Sequence, residues 1–429
     1  MQAFGMVMVI FLVLIFLGMP IAATIGIATM AGFMAADIGI IQLTQICFTG
    51  LNNFTYIAIP LFILAGLIME RGGISRRLVD FCGALVGSHS GSLGVITILA
   101  CTFFGAVCGS APATCAAIGS MMIPSMVKKG YDINYAGGLT SCAGSIGILI
   151  PPSIPMIIYA VTAEISVSDI FLAGFAPGIL VAIGLIIVNA VHCKRHPAQD
   201  GNQAFSMAVL AASFKEAFWA LLSPVIILGG IYAGIFTATE AAVVAVIYSL
   251  VVGLFIYKEI RFSEIYSIFA NATITTGSTL LLLGFATAFA RYLTMKDIPT
   301  LVGEAILSVT NNPTVILVLF VIMIFFTGMF LETASQVLIY TPLFLPVLRT
   351  LGVDPLVFGL ILVVGTAIGQ VTPPVGLNLF VIKGITKTTL VDLSKHIWWF
   401  LFSMVIVDLI LVFLPDVVLF LPRLTGYIG

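Results

Sequence analysis

The stretch SIGILIPPSIPM, residues 145–156, stands inside an apolar run long enough to cross a bilayer. In a helix the N–H of residue i bonds the carbonyl of residue i−4, and proline has no N–H. Pro151 and Pro152 therefore deprive the Gly147 and Ile148 carbonyls of their helical donors. A proline also pushes the residue before it out of the α region, which affects Ile150 and Pro151 itself, so the helix is expected to unwind here. The same arithmetic applies to GQVTPPVG, where Pro373 and Pro374 free the carbonyls of Gly369 and Gln370. An unmet carbonyl in hydrocarbon costs several kcal/mol, so broken backbone at this depth needs something else to satisfy it. A sodium ion, which takes several oxygens and needs no side-chain charge, is the natural candidate.

Composition sets the medium. Hydrophobic residues are 61% of the 429 and charged residues 8%, far from the balance of a soluble domain. Residues 1–36 carry no Lys or Arg, so they lack the basic start of a cleaved leader and read as membrane spans. Seven cysteines lie almost wholly in apolar segments, and Cys101, Cys108 and Cys115 recur every seven residues without a His or carboxylate nearby, so they read as small packing residues rather than metal ligands. The net charge of −1 hides an uneven distribution, no soluble domain of useful size is left over, and nucleic acid is not expected as a partner. There is no HExxH, no GxSxG and no GxxxxGK[ST], which argues against an intramembrane enzyme or an ATP-driven pump.

Ten spans are expected, at 2–18, 20–36, 46–70, 133–160, 169–192, 217–236, 240–257, 263–293, 355–381 and 396–421. Two further apolar stretches, 91–127 and 313–348, are split by the polar tips CGSAPAT and GMFLETAS. Each arm is about 13 to 17 residues, roughly 20 to 25 Å, short for a span, so both read as re-entrant hairpins. With the hairpins not crossing, 13 of the 17 basic residues fall on one side, which becomes the cytoplasmic side, with both termini periplasmic. Segments around 74–87 and 296–309 look amphipathic and are expected to lie along the interface, Arg76 and Arg77 meeting lipid phosphates.

The chain also repeats. A shift of 222 residues lays Pro124, Gly130, Asp132, Gly137, Ile146, Gly147, Pro151 and Pro152 on Pro346, Gly352, Asp354, Gly359, Ile368, Gly369, Pro373 and Pro374. The fold class expected is all-α and polytopic, an inverted-topology repeat with two re-entrant hairpins and two proline-broken helices. Residues 1–168 form the first repeat, 169–216 a connecting span and cytoplasmic loop, 217–382 the second repeat and 383–429 a C-terminal span.

Both tips offer oxygens, and the helix N-termini beyond them offer N–H groups suited to an anion. Expected sodium ligands are Ser110, Thr114, Ser145, Gly147, Ile148 and Pro151 in the first repeat. Their counterparts in the second are Thr333, Ser335, Thr366, Gly369, Gln370 and Thr372. Expected substrate contacts are Ser110, Ala111, Ser153, Arg291, Glu332 and Asn378, Arg291 being the sole basic residue inside a span. Glu240 reads as a helix cap, with Thr239 or its own carboxylate meeting helix N–H groups. Asp132 and Asp354 read as N-caps, and Asp408 as a group paired with a neighbouring helix or subunit. The four histidines sit near span ends or loops, poorly placed for a proton relay.

The runs GSAPATCAAIGSMMIPSMVKKGY, GILIPPS, GIFTATEAA and GQVTPPVG resemble the large membrane subunit of tripartite ATP-independent periplasmic (TRAP) transporters, over essentially the whole chain. The family pattern has proline at Ala238, aspartate at Glu332 and proline at Ser335. The resemblance implies Na⁺-driven import of a small organic acid, such as a C4-dicarboxylate or sialic acid, across the bacterial inner membrane. It implies an elevator motion and two partners, a small membrane subunit of about four helices and a soluble periplasmic substrate-binding protein. A self-sufficient Na⁺/carboxylate symporter of related architecture is the alternative.

Overall fold

The structure, a computed structural model, describes residues 2–197 and 206–428; residues 198–203 of the expected basic loop lie outside the described residues. Every regular element among the described residues is helical. Five helices are long and apolar enough to cross a membrane: Phe54–Arg71, Val167–Arg195, Met207–Tyr232, Ala238–Ile256 and Phe262–Met295. Two bent pairs raise the number to seven.

Both proline-rich stretches interrupt their helices. The first broken helix runs Ile133–Gly144, tightens into a 3₁₀ turn at Ser145–Ile148, loses helical form and resumes at Ile154–Ala163. The second runs Pro355–Gly369 and resumes at Leu377–Thr386. The Pro151–Pro152 and Pro373–Pro374 peptide bonds are cis. Asp132 and Asp354 cap the starts, Asp132 accepting from the Asn134 and Tyr135 N–H groups at 2.8 and 3.0 Å and Asp354 from Leu356 at 2.7 Å.

The hairpins are Ser92–Cys108 with Ala111–Lys128, and Pro313–Gly328 with Thr333–Thr350. Each lays its first arm against a broken helix through a pair of glycines. A Cβ on Gly105 would stand 2.8 Å from the Gly147 Cα, and one on Gly328 would stand 2.7 Å from the Gly369 Cα. Only glycine permits backbone contact this close, and it brings each tip to the level of a break.

The broken helices are tied crosswise. The Tyr159 hydroxyl, in the second arm of the first, donates to the Pro355 carbonyl at 2.6 Å, opening the second. The Asn378 amide, in the second arm of the second, donates to the Ser141 carbonyl at 3.2 Å, in the first arm of the first. Val167–Arg195 and Trp398–Phe413 pack around this assembly, Met404 reaching Ser145.

Several boundaries differ from expectation. The N-terminal helices, Gln2–Phe16 and Ile21–Ala35, are 15 residues each, about 22 Å and shorter than full spans, because Gly18 (φ +77) and Pro20 separate them. The expected 46–70 span divides at Asn52–Asn53, where the Asn53 side chain accepts from the Thr55 N–H at 2.9 Å and starts a separate turn. Ile40–Leu51 is thus its own helix. The 396–421 span ends at Phe413: Pro415 forces Leu414 out of the helix, and Asp416–Leu424 leaves at 68°.

Arg77 is not free for lipid. It pairs with Glu259 at 2.6 Å and lies 3.6 Å over the Tyr257 ring, fastening the amphipathic helix Ile74–Val86 to the turn at 257–261. Arg76 is exposed as expected. The cap before Ala238–Val251 is Thr237 rather than Thr239, in a reciprocal box: the Thr237 N–H donates to the Glu240 carboxylate at 2.8 Å.

Candidate functional site

A cavity of about 320 Å³ lies where both tips and both breaks converge. Ser110 and Ala111 line it from the first tip, Glu332 and Thr333 from the second, Ile148 from the first break and Gln370 from the second. The remaining wall is one face of Ala58–Arg71, with Ile63, Gly66, Leu67 and Glu70 at helical spacing, and Thr275 and Thr279 of Phe262–Met295. Six sequence-predicted site residues thus meet in one space. Thr114, Ser145, Gly147, Pro151, Ser153, Ser335, Thr366, Gly369, Thr372 and Asn378 are buried behind it.

The two tips share an uncapped kind of helix start, which Ser206 and Asp297 show elsewhere. Ser110 and Glu332 are both N-caps, yet neither side chain bonds its own helix. Ser153, Thr237, Asp132 and Asp354 all do so at theirs. The Ser110 hydroxyl and the Glu332 carboxylate are therefore left to the cavity, and the first N–H groups of two helices are left without a side-chain acceptor.

The carbonyls that proline was expected to strip mostly have donors. Ile148 O accepts the Ser153 hydroxyl at 2.6 Å, Gly369 O the Thr372 N–H at 3.1 Å, and Gln370 O the Asn378 N–H at 3.0 Å. Gly147 alone keeps the expectation, since residue 151 has no N–H to give it. The hydroxyls of Thr114, Ser145, Thr366 and Thr372 donate to carbonyls one turn back, at 2.6–2.8 Å, which leaves their oxygen lone pairs available.

Besides the Gly147 carbonyl, the oxygens without a partner belong to side chains. Ser335 Oγ, Gln336 Oε1, Gln370 Oε1, Asn378 Oδ1 and Ser141 Oγ are buried with no hydrogen-bond partner among the described residues. The three amide groups are oriented by their nitrogens: Gln370 Nε2 donates to Thr333 Oγ1 at 2.6 Å, Gln336 Nε2 to Leu331 O at 3.0 Å, and Asn378 Nδ2 to Ser141 O. Three amide oxygens and two hydroxyls without donors suit a hard monovalent cation, which takes oxygen ligands of this kind.

Gln336, Ser141, Glu70, Thr275 and Thr279 were not anticipated. Gln336 stands 222 residues after Thr114, so the repeat register points to it. Glu70 reads in sequence as the first charge of a loop, although its position four residues after Gly66 keeps it on the cavity face. Arg291 is exposed and does not line the cavity. Among the described residues it forms no ion pair, with Glu332 or any other carboxylate. Asp408 is fully buried, and neither oxygen has a partner among the described residues, so no neighbouring helix supplies the pairing expected for it.

An apolar chain, helical throughout its described regular elements, that gathers two hairpin tips and two interrupted helices around a cavity with a few polar groups has the make-up of a membrane transport protein, and comparison with known proteins fixes its family. The chain belongs to the tripartite ATP-independent periplasmic transporters as a DctM component, whose family model matches residues 8–417. It is a multi-pass inner-membrane permease, not an enzyme.

It is 38% identical over 411 residues to the isethionate TRAP transporter permease protein DctMQ of Oleidesulfovibrio alaskensis, covering 96% of this chain and 65% of that one. It is 40% identical over 377 residues to the C4-dicarboxylate TRAP transporter large permease protein DctM of Pseudomonas aeruginosa, covering 87% and 88%. The YdaH transporter of Alcanivorax borkumensis has a similar fold, with TM-score 0.65, 15% identity and coverage of 95% of this chain and 97% of that one.

Proposed function

We propose that the protein imports a small organic acid, of the C4-dicarboxylate or sialic acid class, by Na⁺ symport. The observation that carries this reading is the charge of the cavity. Two carboxylates, Glu70 and Glu332, line it, and no Lys, Arg or His does. Like charge in a confined, poorly solvated space repels an organic anion by several kcal/mol, so the anion enters only with compensation. Uncapped helix N-termini at Ala111 and Thr333 supply part of it. Na⁺ supplies the rest, as a co-transported substrate held by Gln336, Gln370, Asn378, Ser141 and Ser335 with the Gly147 carbonyl. Binding of ion and acid is then mutually dependent, which is the thermodynamic content of coupling.

The 222-residue repeat, the matching glycine contacts and the crossed ties between broken helices support two oppositely inserted halves, within the division at 168, 216 and 382. In this reading the hairpins, broken helices, Val167–Arg195 and Trp398–Phe413 move as one body past the remaining helices. Membership of a tripartite family, and a relative whose name joins M and Q components, support a small membrane subunit and a periplasmic binding protein as partners.

Uptake by the chain with its membrane partner in proteoliposomes, with binding protein outside, tests this. Accumulation is expected to require an inward Na⁺ gradient; accumulation unchanged when the gradient is collapsed overturns the symport. Accumulation without binding protein points instead to a self-sufficient symporter.

A further inference from the structure

A second cavity, of about 530 Å³, lies between the end of Val167–Arg195, the start of Ile133–Gly144 and the turn leading into Trp398–Phe413. Three of the four histidines gather here from two distant segments. The Tyr135 ring lies face to face with His192, centroids 3.8 Å apart and planes within 11°, and His196 follows at 4.8 Å from His192. His396 meets Tyr135 edge-on at 6.5 Å. The floor is fixed from below: the Tyr135 hydroxyl donates to Asn189 Oδ1 at 3.0 Å, and the Asn189 amide donates to the Gly91 carbonyl at 2.9 Å.

Charge is concentrated at one end. Arg195 and Lys395 line the cavity with the histidines. Among the described residues Arg195 enters no ion pair. Two carboxylates stand near, and both are engaged. Asp392 takes Lys395 Nζ at 2.8 Å, a bond that, with the Thr389 hydroxyl, holds its carboxyl below the usual range. Asp132 caps its helix and lies 3.7 Å from His396 Nε2. The other end is apolar and open: Ile187, Val191 and Trp399 line the cavity and are 58%, 51% and 74% exposed.

We propose that this cavity binds the phosphate head of an anionic phospholipid. Arg195 is the main partner of the phosphodiester and Lys395 the second, while Ile187, Val191 and Trp399 receive the upper acyl chain. A free phosphate would leave the apolar wall bare to water, and a zwitterionic lipid brings no net charge to Arg195. An amphiphile with a single negative head matches both ends at once. Tryptophan at such a boundary places its ring where apolar and wet surroundings meet.

The test uses the full chain, delipidated in detergent and offered phosphatidylglycerol, phosphatidylcholine or glycerol 3-phosphate, with bound lipid counted by native mass spectrometry. Phosphatidylglycerol is expected to be retained about tenfold better than phosphatidylcholine, and glycerol 3-phosphate not at all. Arg195→Gln with Lys395→Gln is expected to abolish that preference, Arg195→Lys to keep most of it, and Lys215→Gln, at an exposed lysine outside the cavity, to change nothing. Equal retention of the two lipids by the parent chain overturns the proposal. So does full retention by the double variant, or binding of glycerol 3-phosphate as tight as that of the lipid. If the double variant elutes as aggregate, the comparison of Arg195→Gln with Arg195→Lys decides, since equal retention by the two removes Arg195 from the site.

Discussion

The two hairpin tips occupy matching places in the repeat but are chemically unlike. In the first, GSAPAT, the only polar side chains are hydroxyls, and Thr114 has already given its own to the Ser110 carbonyl. In the second, ETASQ, a carboxylate, two hydroxyls and an amide fall within five residues, and the Ser335 and Gln336 oxygens remain without donors. Thr114 and Gln336 share one repeat position, so a hydroxyl that donates to its own helix in one half corresponds to an amide oxygen without a donor in the other. A repeat therefore preserves backbone architecture while the tips divide the chemistry, with most of the proposed cation ligands in the second half, Ser141 and Gly147 contributing from the first, and an uncharged N–H-rich cap at the first tip.

That comparison fails or sharpens under substitution. The halves are expected to be equal where close approach matters: Gly147→Leu and Gly369→Leu should each remove uptake almost wholly, about a hundredfold or more, because a Cβ on Gly147 would strike Thr114 and the Ser110 carbonyl and one on Gly369 the Gly328 backbone. Uptake assays on protein of verified insertion decide it, and survival of either variant breaks the equivalence. The halves are expected to differ where ligands matter. Gln336→Leu and Gln370→Leu should raise the Na⁺ concentration for half-maximal uptake about tenfold, roughly 1.4 kcal/mol. Thr114→Val should shift it less than about twofold, and a reversed order would move the cation to the first half.

A smaller contrast concerns the two uncapped N-caps. Glu332→Gln should weaken Na⁺ dependence about fivefold, whereas Ser110→Ala should raise the substrate KM about threefold and leave the Na⁺ curve in place. Smallest is Asp408→Leu, outside both tips, which should raise the thermal midpoint by about 1–3 °C by removing a buried unpartnered carboxyl. A lowered midpoint in the chain with its membrane partner would show that a group from that partner meets the carboxyl.

The interruptions were legible because proline acts through the chain within four residues: Pro151, Pro152, Pro373 and Pro374 each remove a donor that no folding can restore. The tips were legible for a related reason, as small and polar residues punctuate runs otherwise too apolar to turn. What stayed hidden came from farther along the chain or from another helix. Ser153 repairs the Ile148 carbonyl and Asn378 the Gln370 carbonyl by bending back five and eight residues, a geometry no helical count supplies. Glu259 reaches Arg77 across 182 positions and takes from lipid a side chain that amphipathic patterning had assigned to it. The histidines looked scattered because His192 and His396 meet only when the ends of two helices converge on Tyr135.

The bonds from Tyr159 to Pro355 and from Asn378 to Ser141 join residues 196 and 237 positions apart in sequence. Neither interrupted helix can slide along its axis without dragging the other, so changes made in the two halves should not add as independent energies. Because both acceptors are main-chain carbonyls, a chimera that joins one half of this chain to the complementary half of a relative keeps each stitch only where a hydroxyl and an amide donor stand at the positions of Tyr159 and Asn378.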